Sequence, residues 1–193
     1  MKKITLILLL SLLVNTLYSQ EVRGIVTNTF IVNYSEELEQ PLYVFYKILC
    51  PNGNESRSGL DFKKYDGVHT SNNEDYVDNV WDKGHLAPAA AFNCNRETLK
   101  STFSYLNCAL QHQSLNRGPW RELEEFERNL AKIYDKVNVT VECHFSKDSK
   151  VLPTGSTVPD GFTKTIIWDD REECFYFPNK DVKGVNWIEF RIN

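Results

Sequence analysis

An α+β fold built on an antiparallel sheet is predicted by two features of this chain of 193 residues. Short runs rich in Val, Ile, Phe and Tyr recur through most of its length, separated by turn-forming stretches. Against these, one clear stretch, beginning near Pro119, carries apolar residues at helical spacing. Strands that outnumber helices, without regular strand–helix alternation, imply antiparallel pairing. No internal repeat, low-complexity tract or linker divides the chain, so it is expected to form one domain.

The elements follow in order. Lys2 and Lys3 precede an apolar run over 4–14 and a polar exit over 15–20, the pattern of a secretory signal peptide spanning 1–19. The run is shorter than the roughly 20 apolar residues a membrane-spanning helix needs. Leu17 is larger than the residue usually found there if cleavage follows Ser19. The expected mature domain is 20–193, secreted or periplasmic and without membrane attachment. Within it, 22–34 and 41–49 are expected as strands joined by an acidic turn over 35–40. Residues 50–76, with Pro51, Gly53, Asn54 and Gly59, form a long surface connection of the kind that often lies beside functional sites. Near Pro119 a helix places Trp120, Leu123, Phe126, Leu130, Ile133 and Tyr134 on one face, and Pro119 suits its first turn. Strand-like segments then occupy 137–145, 163–168, 174–177 and 187–192, the first two separated by the Pro- and Gly-bearing stretch 151–161.

The formal net charge is −4, and removing the lysines of the leader makes it −6. A protein that grips nucleic acid along a broad face is usually basic, so an architectural binder is disfavoured. An enzyme that meets a few phosphates through local cations and a metal ion is not. Export permits disulfides, but the five cysteines leave at least one thiol unpaired, and two bridges among them can be drawn in fifteen ways. No Cys-x-x-Cys spacing points to structural zinc.

Of the four histidines, His69 and His144 stand in ordinary surroundings, and His112 lies near polar residues without forming a motif. His85 closes Asp82-Lys83-Gly84-His85 and is followed by Leu86-Ala87-Pro88-Ala89. Glycine allows close backbone approach, which can push the next side chain into a cleft. Asp82 can fix local backbone or the imidazole, and Lys83 offers a cation to a phosphate. Downstream, the neutral amides of Asn107, Gln111, Gln113 and Asn116 crowd a stretch leading into the helix, where Glu124 and Arg128 stand one turn apart.

These two segments resemble the DNA/RNA non-specific endonucleases of the ββα-metal (His-Me finger) type. The family signature joins Asp-Arg-Gly-His and a small-residue, proline-bearing stretch to a later Leu-Asn-x-x-x-Trp-x-x-Leu-Glu. This chain supplies Asp82-Lys83-Gly84-His85-Leu86-Ala87-Pro88 and then Leu115-Asn116-Arg117-Gly118-Pro119-Trp120-Arg121-Glu122-Leu123-Glu124. The close match runs over 81–128, with both motifs in order.

The resemblance implies a metal-dependent endonuclease acting on DNA and RNA. His85 would be the general base that activates water. Asn116 would bind Mg²⁺, or Mn²⁺ or another divalent cation, through its amide oxygen. Glu124 would hold a metal-bound water, Asn107 would orient the histidine or the substrate, and Arg128 would support Glu124 or a phosphate. Lys83, Asp82 and Gln113 would contact substrate, and the products would carry 5′-phosphates. An imidazole of ordinary pKa about 6.5 suits base catalysis at neutral pH. His85 is expected near a strand end, with Asn116 opening the helix packed on that hairpin.

Two departures stand out. Lysine replaces arginine at position 83, keeping charge but losing the planar two-pronged contact. The family's upstream phosphate-contacting arginine has no counterpart over 68–76, leaving Arg57 or Lys64 as substitutes. A decayed nuclease fold that only binds nucleic acid, and a phosphodiesterase for small esters, are the alternatives.

Overall fold

A computed structural model describes residues 22–192, so the expected leader lies outside the described residues. Antiparallel pairing dominates it. A seven-stranded sheet runs in the order β1-β2-β3-β6-β7-β8-β9, and a separate two-stranded hairpin joins β4 to β5. The α+β class and the antiparallel core are as the sequence predicts.

Strands β1 (Val22–Val26), β2 (Phe30–Ser35) and β3 (Gln40–Lys47) form a meander at one side of the large sheet. The single strand expected over 22–34 is broken because Thr27 turns the chain. Its backbone N–H donates to the Phe30 carbonyl, and its hydroxyl oxygen accepts from the N–H groups of Thr29 and Phe30. Alternation then decides the faces: Phe30, Val32 and Tyr34 point into the core while Ile31 and Asn33 face solvent.

The chain leaves the sheet after β3 and re-enters it at the adjacent strand β6 (Val137–His144). Between them lie β4 (Trp81–His85), α1 (Arg96–Ser101), β5 (Cys108–His112), α2 (Gln113–Leu115) and α3 (Arg121–Ala131). Strands β7 (Gly161–Trp168), β8 (Arg171–Pro178) and the two-residue β9 (Arg191–Ile192) complete the sheet. The stretch 187–192, expected as a strand, is mostly a 3₁₀ turn. Asn186 caps it through its side chain and Glu189 bonds back, leaving only two residues to pair.

Helix α3 packs on the sheet through Trp120, Leu123 and Leu130. Trp120 is fully buried, its ring centroid 5.5 Å from Phe162 and 5.4 Å from Phe177. The helix starts where expected, near Pro119: Gly118 takes non-helical angles (φ −107°, ψ −115°) and breaks the preceding turn over Asn116–Trp120, and regular α-helix runs from Arg121. It ends at Ala131, so Ile133 lies beyond its apolar stripe and is 75% exposed, against expectation. A buried ion pair ties helix to sheet: Lys164 Nζ lies 2.8 Å from Glu127 Oε1, out of line for a hydrogen bond, and both side chains are fully enclosed. Tyr46 donates its hydroxyl to the other Glu127 oxygen at 2.6 Å, and Lys164 Nζ sits 4.1 Å from a Trp120 ring centroid.

Among the fifteen pairings the sequence allows for two bridges, the structure uses none in full. Cys50 and Cys94 are joined, while Cys108, Cys143 and Cys174 are free thiols.

Candidate active site

A cavity of about 370 Å³ opens where the β4–β5 hairpin meets the start of α3, lined by Arg57, Lys83, His85, Asn116, Arg121 and Glu124 among others. The expected pairing of His85 with a strand end holds, since it is the last residue of β4.

The hairpin is short, and its register explains the glycine before the histidine. Gly84 pairs with Ala109, and a β-carbon at Gly84 would lie 2.4 Å from the Gln111 side-chain oxygen. Close approach, rather than a left-handed backbone, is therefore what glycine supplies here. The Gln111 amide is buried with neither end hydrogen-bonded in the structure.

The His85 ring is wedged between aromatic faces, its centroid 4.6 Å from Phe62 and 4.8 Å from Phe103. Its backbone carbonyl accepts from Trp120 Nε1 at 3.3 Å, joining the strand end to α3. Nε2 is sealed from solvent without a hydrogen-bond partner. Burial, aided by the nearby Arg57 charge, lowers the imidazole pKa from 6.5 to about 3. The ring is thus neutral, and able to accept a proton, throughout the physiological range.

Asn116 follows α2 and its amide is oriented by Asp82, whose Oδ2 accepts from Nδ2 at 2.9 Å. Arg117 grips the same carboxylate with two bonds, Nε to Oδ2 at 2.8 Å and Nη2 to Oδ1 at 2.6 Å. The donors hold the Asp82 carboxyl below its usual range despite the opposing effect of burial. Asp82 therefore does not meet the imidazole or face the cavity as a substrate contact. It is occupied by three donors and positions Asn116, leaving the amide oxygen as the end not bonded to it.

Glu124 lines the cavity from α3, and no protein hydrogen bond to its carboxylate occurs among the described residues. Burial raises its pKa to about 7, against the pull of Lys164, Arg128 and Arg57. Arg128 acts on Glu124 only through this longer-range field. No ion pair within 4 Å joins them and Arg128 does not line the cavity, contrary to the close support expected.

Two other expectations need correction. Asn107 is fully buried and turned away from the cavity. Its Oδ1 accepts from the Ala87 N–H at 2.7 Å, and its Nδ2 donates to the carbonyls of Ala87 and Thr102. It fixes the backbone just beyond His85 instead of touching ring or substrate. Gln113 lines a neighbouring cavity of about 680 Å³ with His112, Asp181 and Lys183, because α2 carries it to the far side of Arg117.

Lys83 does face the cavity, its ammonium held by Asp61 at 2.9 Å and by Asn73 Oδ1. Of the two candidate upstream cations, Arg57 lines this cavity, while Lys64 lines another. Arg57 is brought there by a loop that the Cys50–Cys94 bridge and a Glu55 N–H to Asn93 carbonyl bond hold in place. Arg117 and Arg121 are the cavity residues given no role from sequence. Both lie inside the second motif, at its unspecified positions, which is the signal that could have drawn attention to them.

Comparison with known proteins agrees with this geometry. Residues 13–193 match the profile of the family described as DNA/RNA non-specific endonuclease. The chain is 37% identical over 90 residues to mitochondrial endonuclease G of Bos taurus, covering 45% of this chain and 30% of that protein. It is 41% identical over 122 residues to a salivary endonuclease of Lutzomyia longipalpis, covering 56% and 29%. The matched stretch thus spans under a third of these relatives. A chain of the EndoG/EndoGI complex superposes with a TM-score of 0.77 at 26% identity, covering 89% of this chain and 80% of that one.

Proposed function

Since this chain belongs to the DNA/RNA non-specific endonuclease family, we propose that it hydrolyses phosphodiester bonds of DNA and RNA at the cavity beneath His85. The observation that carries the reading is the charge of that cavity. Arg57, Lys83, Arg117 and Arg121 converge around a neutral imidazole in a protein of net charge −4, with Glu124 the one carboxylate in the lining. Asp61 and Asp82 stand behind Lys83 and Arg117, and Glu122 and Glu125 beside Arg121, so Arg57 is the lining cation with no carboxylate within 4 Å among the described residues. Such a concentration of cations in an acidic chain suits a phosphate.

His85 acts as general base at Nδ1, the ring nitrogen that is not sealed within the protein. Its low pKa in the free protein keeps it unprotonated. An incoming phosphodiester brings negative charge beside it and strengthens it as a base when water must be activated. Arg57 and Lys83 hold the phosphate oxygens, and Asn107 keeps the backbone after His85 from shifting. Asp82 is a positioning residue acting through Asn116 and Arg117.

The residues present fit a hard divalent cation such as Mg²⁺ or Mn²⁺. Asp82 engages the nitrogen of the Asn116 amide and leaves the oxygen, and Glu124 brings a carboxylate with no protein partner. No group of three His, Cys, Asp or Glu side chains able to hold a metal occurs among the described residues. One amide oxygen and one carboxylate leave most positions around such an ion to water and substrate oxygens. Asn116 would hold the cation through its amide oxygen and Glu124 would hold a water on it; the cation would supply positive charge beside the phosphate and the leaving 3′ oxygen, consistent with products that carry 5′-phosphates. Export is supported by the basic-apolar start of the sequence and by the Cys50–Cys94 bridge, which persists in oxidising compartments.

The deciding experiment compares plasmid and RNA cleavage by purified protein in Mg²⁺ and in EDTA, with His85→Ala prepared identically. Metal-dependent cleavage by the wild type, reduced about 10³-fold or more in the variant, is expected. A folded wild type that cleaves nothing in Mg²⁺, Mn²⁺ or Ca²⁺ would overturn the reading and leave a binding module.

A further inference from the structure

Beside the catalytic cavity lies a larger one, of about 830 Å³, formed by the β1–β2 turn, the loop around 59–65 and α1. Its charge is unusual for this protein. Lys63, Lys64, Arg96 and Lys100 line it, against Asp61 and Glu97. Asp61 is already neutralised by Lys83. Lys63, Lys64 and Lys100 have no ion pair within 4 Å among the described residues, and Arg96 is fixed by the carbonyls of Ser56 and Ser58. Unpaired cations gathered in one concavity repel each other, and a polyanion relieves that repulsion.

The groove also carries aromatic surface. Tyr65 lines it and is 41% exposed, and Phe103 forms part of its wall. Phe103 is the ring that packs on His85, and Asp61 is the carboxylate that holds Lys83. Phe103 and Asp61 on one side and His85 and Lys83 on the other therefore form the wall between the groove and the catalytic cavity, which sets the groove next to a phosphate bound at His85.

We propose that this groove is a subsite for the single-stranded stretch of nucleic acid flanking the scissile phosphate, its cations holding successive phosphates and Tyr65 stacking on a base. Cationic tracks with aromatic platforms take single strands, because only an unpaired base offers its face to a side chain. The bases of a duplex are stacked on one another and cannot reach Tyr65. The inference rests on the nuclease reading for the direction of the strand, and its test separates the two.

Binding is measured by fluorescence anisotropy in EDTA, with the full chain carrying His85→Ala, using an oligonucleotide long enough to span both cavities and its duplex. Adding Lys64→Glu and Lys100→Glu should weaken single-strand binding by about tenfold or more at low salt. It should also flatten the slope of log K against log salt by about 1.4, or about 0.7 for each phosphate that is no longer neutralised. Tyr65→Ala should weaken single-strand binding about fivefold or more and leave duplex binding in place. In the cleaving enzyme, the Lys64→Glu/Lys100→Glu pair should lower turnover of the oligonucleotide relative to bis(p-nitrophenyl) phosphate, with the loss in KM. Single-strand affinity unmoved by both sets of substitutions overturns the proposal. A Tyr65→Ala effect equal on duplex and single strand overturns the single-strand assignment. A wild type that cleaves nothing, yet loses oligonucleotide binding in these variants, removes the nuclease reading and leaves the subsite standing.

Discussion

The seven-stranded sheet and the two-stranded hairpin are held in opposite ways. The sheet keeps its register by burying alternate residues: Val137, Val139 and Val141 on β6 meet Phe162 and Ile166 on β7 and Phe175 and Phe177 on β8. The hairpin has five residues per strand and could not stand alone. Its free edge is instead occupied by amide side chains borrowed from the larger fold. Gln40 Oε1 accepts from the Leu110 N–H, Asn179 Nδ2 donates to the Leu110 carbonyl, and Asn179 Oδ1 accepts from the His112 N–H. Those side chains satisfy β5 where a third strand would otherwise lie. Apolar burial tolerates small shifts, whereas directed hydrogen bonds fix position, and His85 and Lys83 ride on the part fixed by hydrogen bonds.

Substitutions can break that contrast, and the largest effect is expected from Asp82→Ala. It releases Asn116 and Arg117 together and should lower kcat by about 10- to 100-fold, as losing an orienting partner of a metal ligand does. Far-UV circular dichroism should be unchanged; a loss confined to KM would show that Asp82 does not position Asn116. Next comes Val139→Ala in the sheet, which should cost about 2 kcal/mol of stability in a urea titration, from lost burial plus a cavity. Its activity per folded molecule should stay near wild type, and a large fall in kcat would erase the distinction between scaffold and site. Asn179→Ala should cost about 1–3 kcal/mol by orphaning the groups on β5, less where water can replace the amide. Hydrogen exchange should accelerate in β4 and β5 but not in β6 to β8. Uniform acceleration would mean that the hairpin is not separately held.

A separate effect is one of pH. His85 titrates near 3 in the folded protein and near 6.5 when free, so between those values the unfolded chain binds a proton that the native state does not. The His85 contribution to stability should therefore fall as pH drops from about 6.5 toward 3, while Glu124, which keeps a proton in the native state up to about pH 7, acts in the opposite direction between about 4.5 and 7. Thermal midpoints followed in EDTA should fall less steeply in His85→Gln than in wild type. Parallel profiles would place the acid sensitivity elsewhere.

Periodicity made most of the scaffold legible. Alternation marked the sheet strands, and the two motifs placed His85, Asn116 and Glu124 around one cavity. What stayed hidden depended on contacts distant in sequence. Asp82 and Asn116 are 34 residues apart, and nothing local announces that one carboxylate holds both Asn116 and Arg117. Arg57 reaches the site because Cys50 pairs with Cys94, a choice the five cysteines leave open. Glu127 and Lys164 could have been suspected. Glu127 falls between Leu123 and Leu130 on the inward stripe of α3, and Lys164 alternates with Phe162 and Ile166. Charge suggested surface at both positions, but spacing placed them inside, and spacing decided.

The contact between Gly84 and Gln111 has a consequence for how this protein can vary. Any side chain at position 84 collides with the glutamine across the hairpin, at its amide oxygen and at its β-carbon 2.6 Å away, so position 84 cannot gain bulk alone without displacing the strand that presents His85. A path to alanine at 84 that leaves the backbone in place begins with glycine at 111, the one residue that removes that β-carbon. The two sites, 27 residues apart, therefore behave as a single unit of inheritance, with the order of the steps set by the space between two backbones.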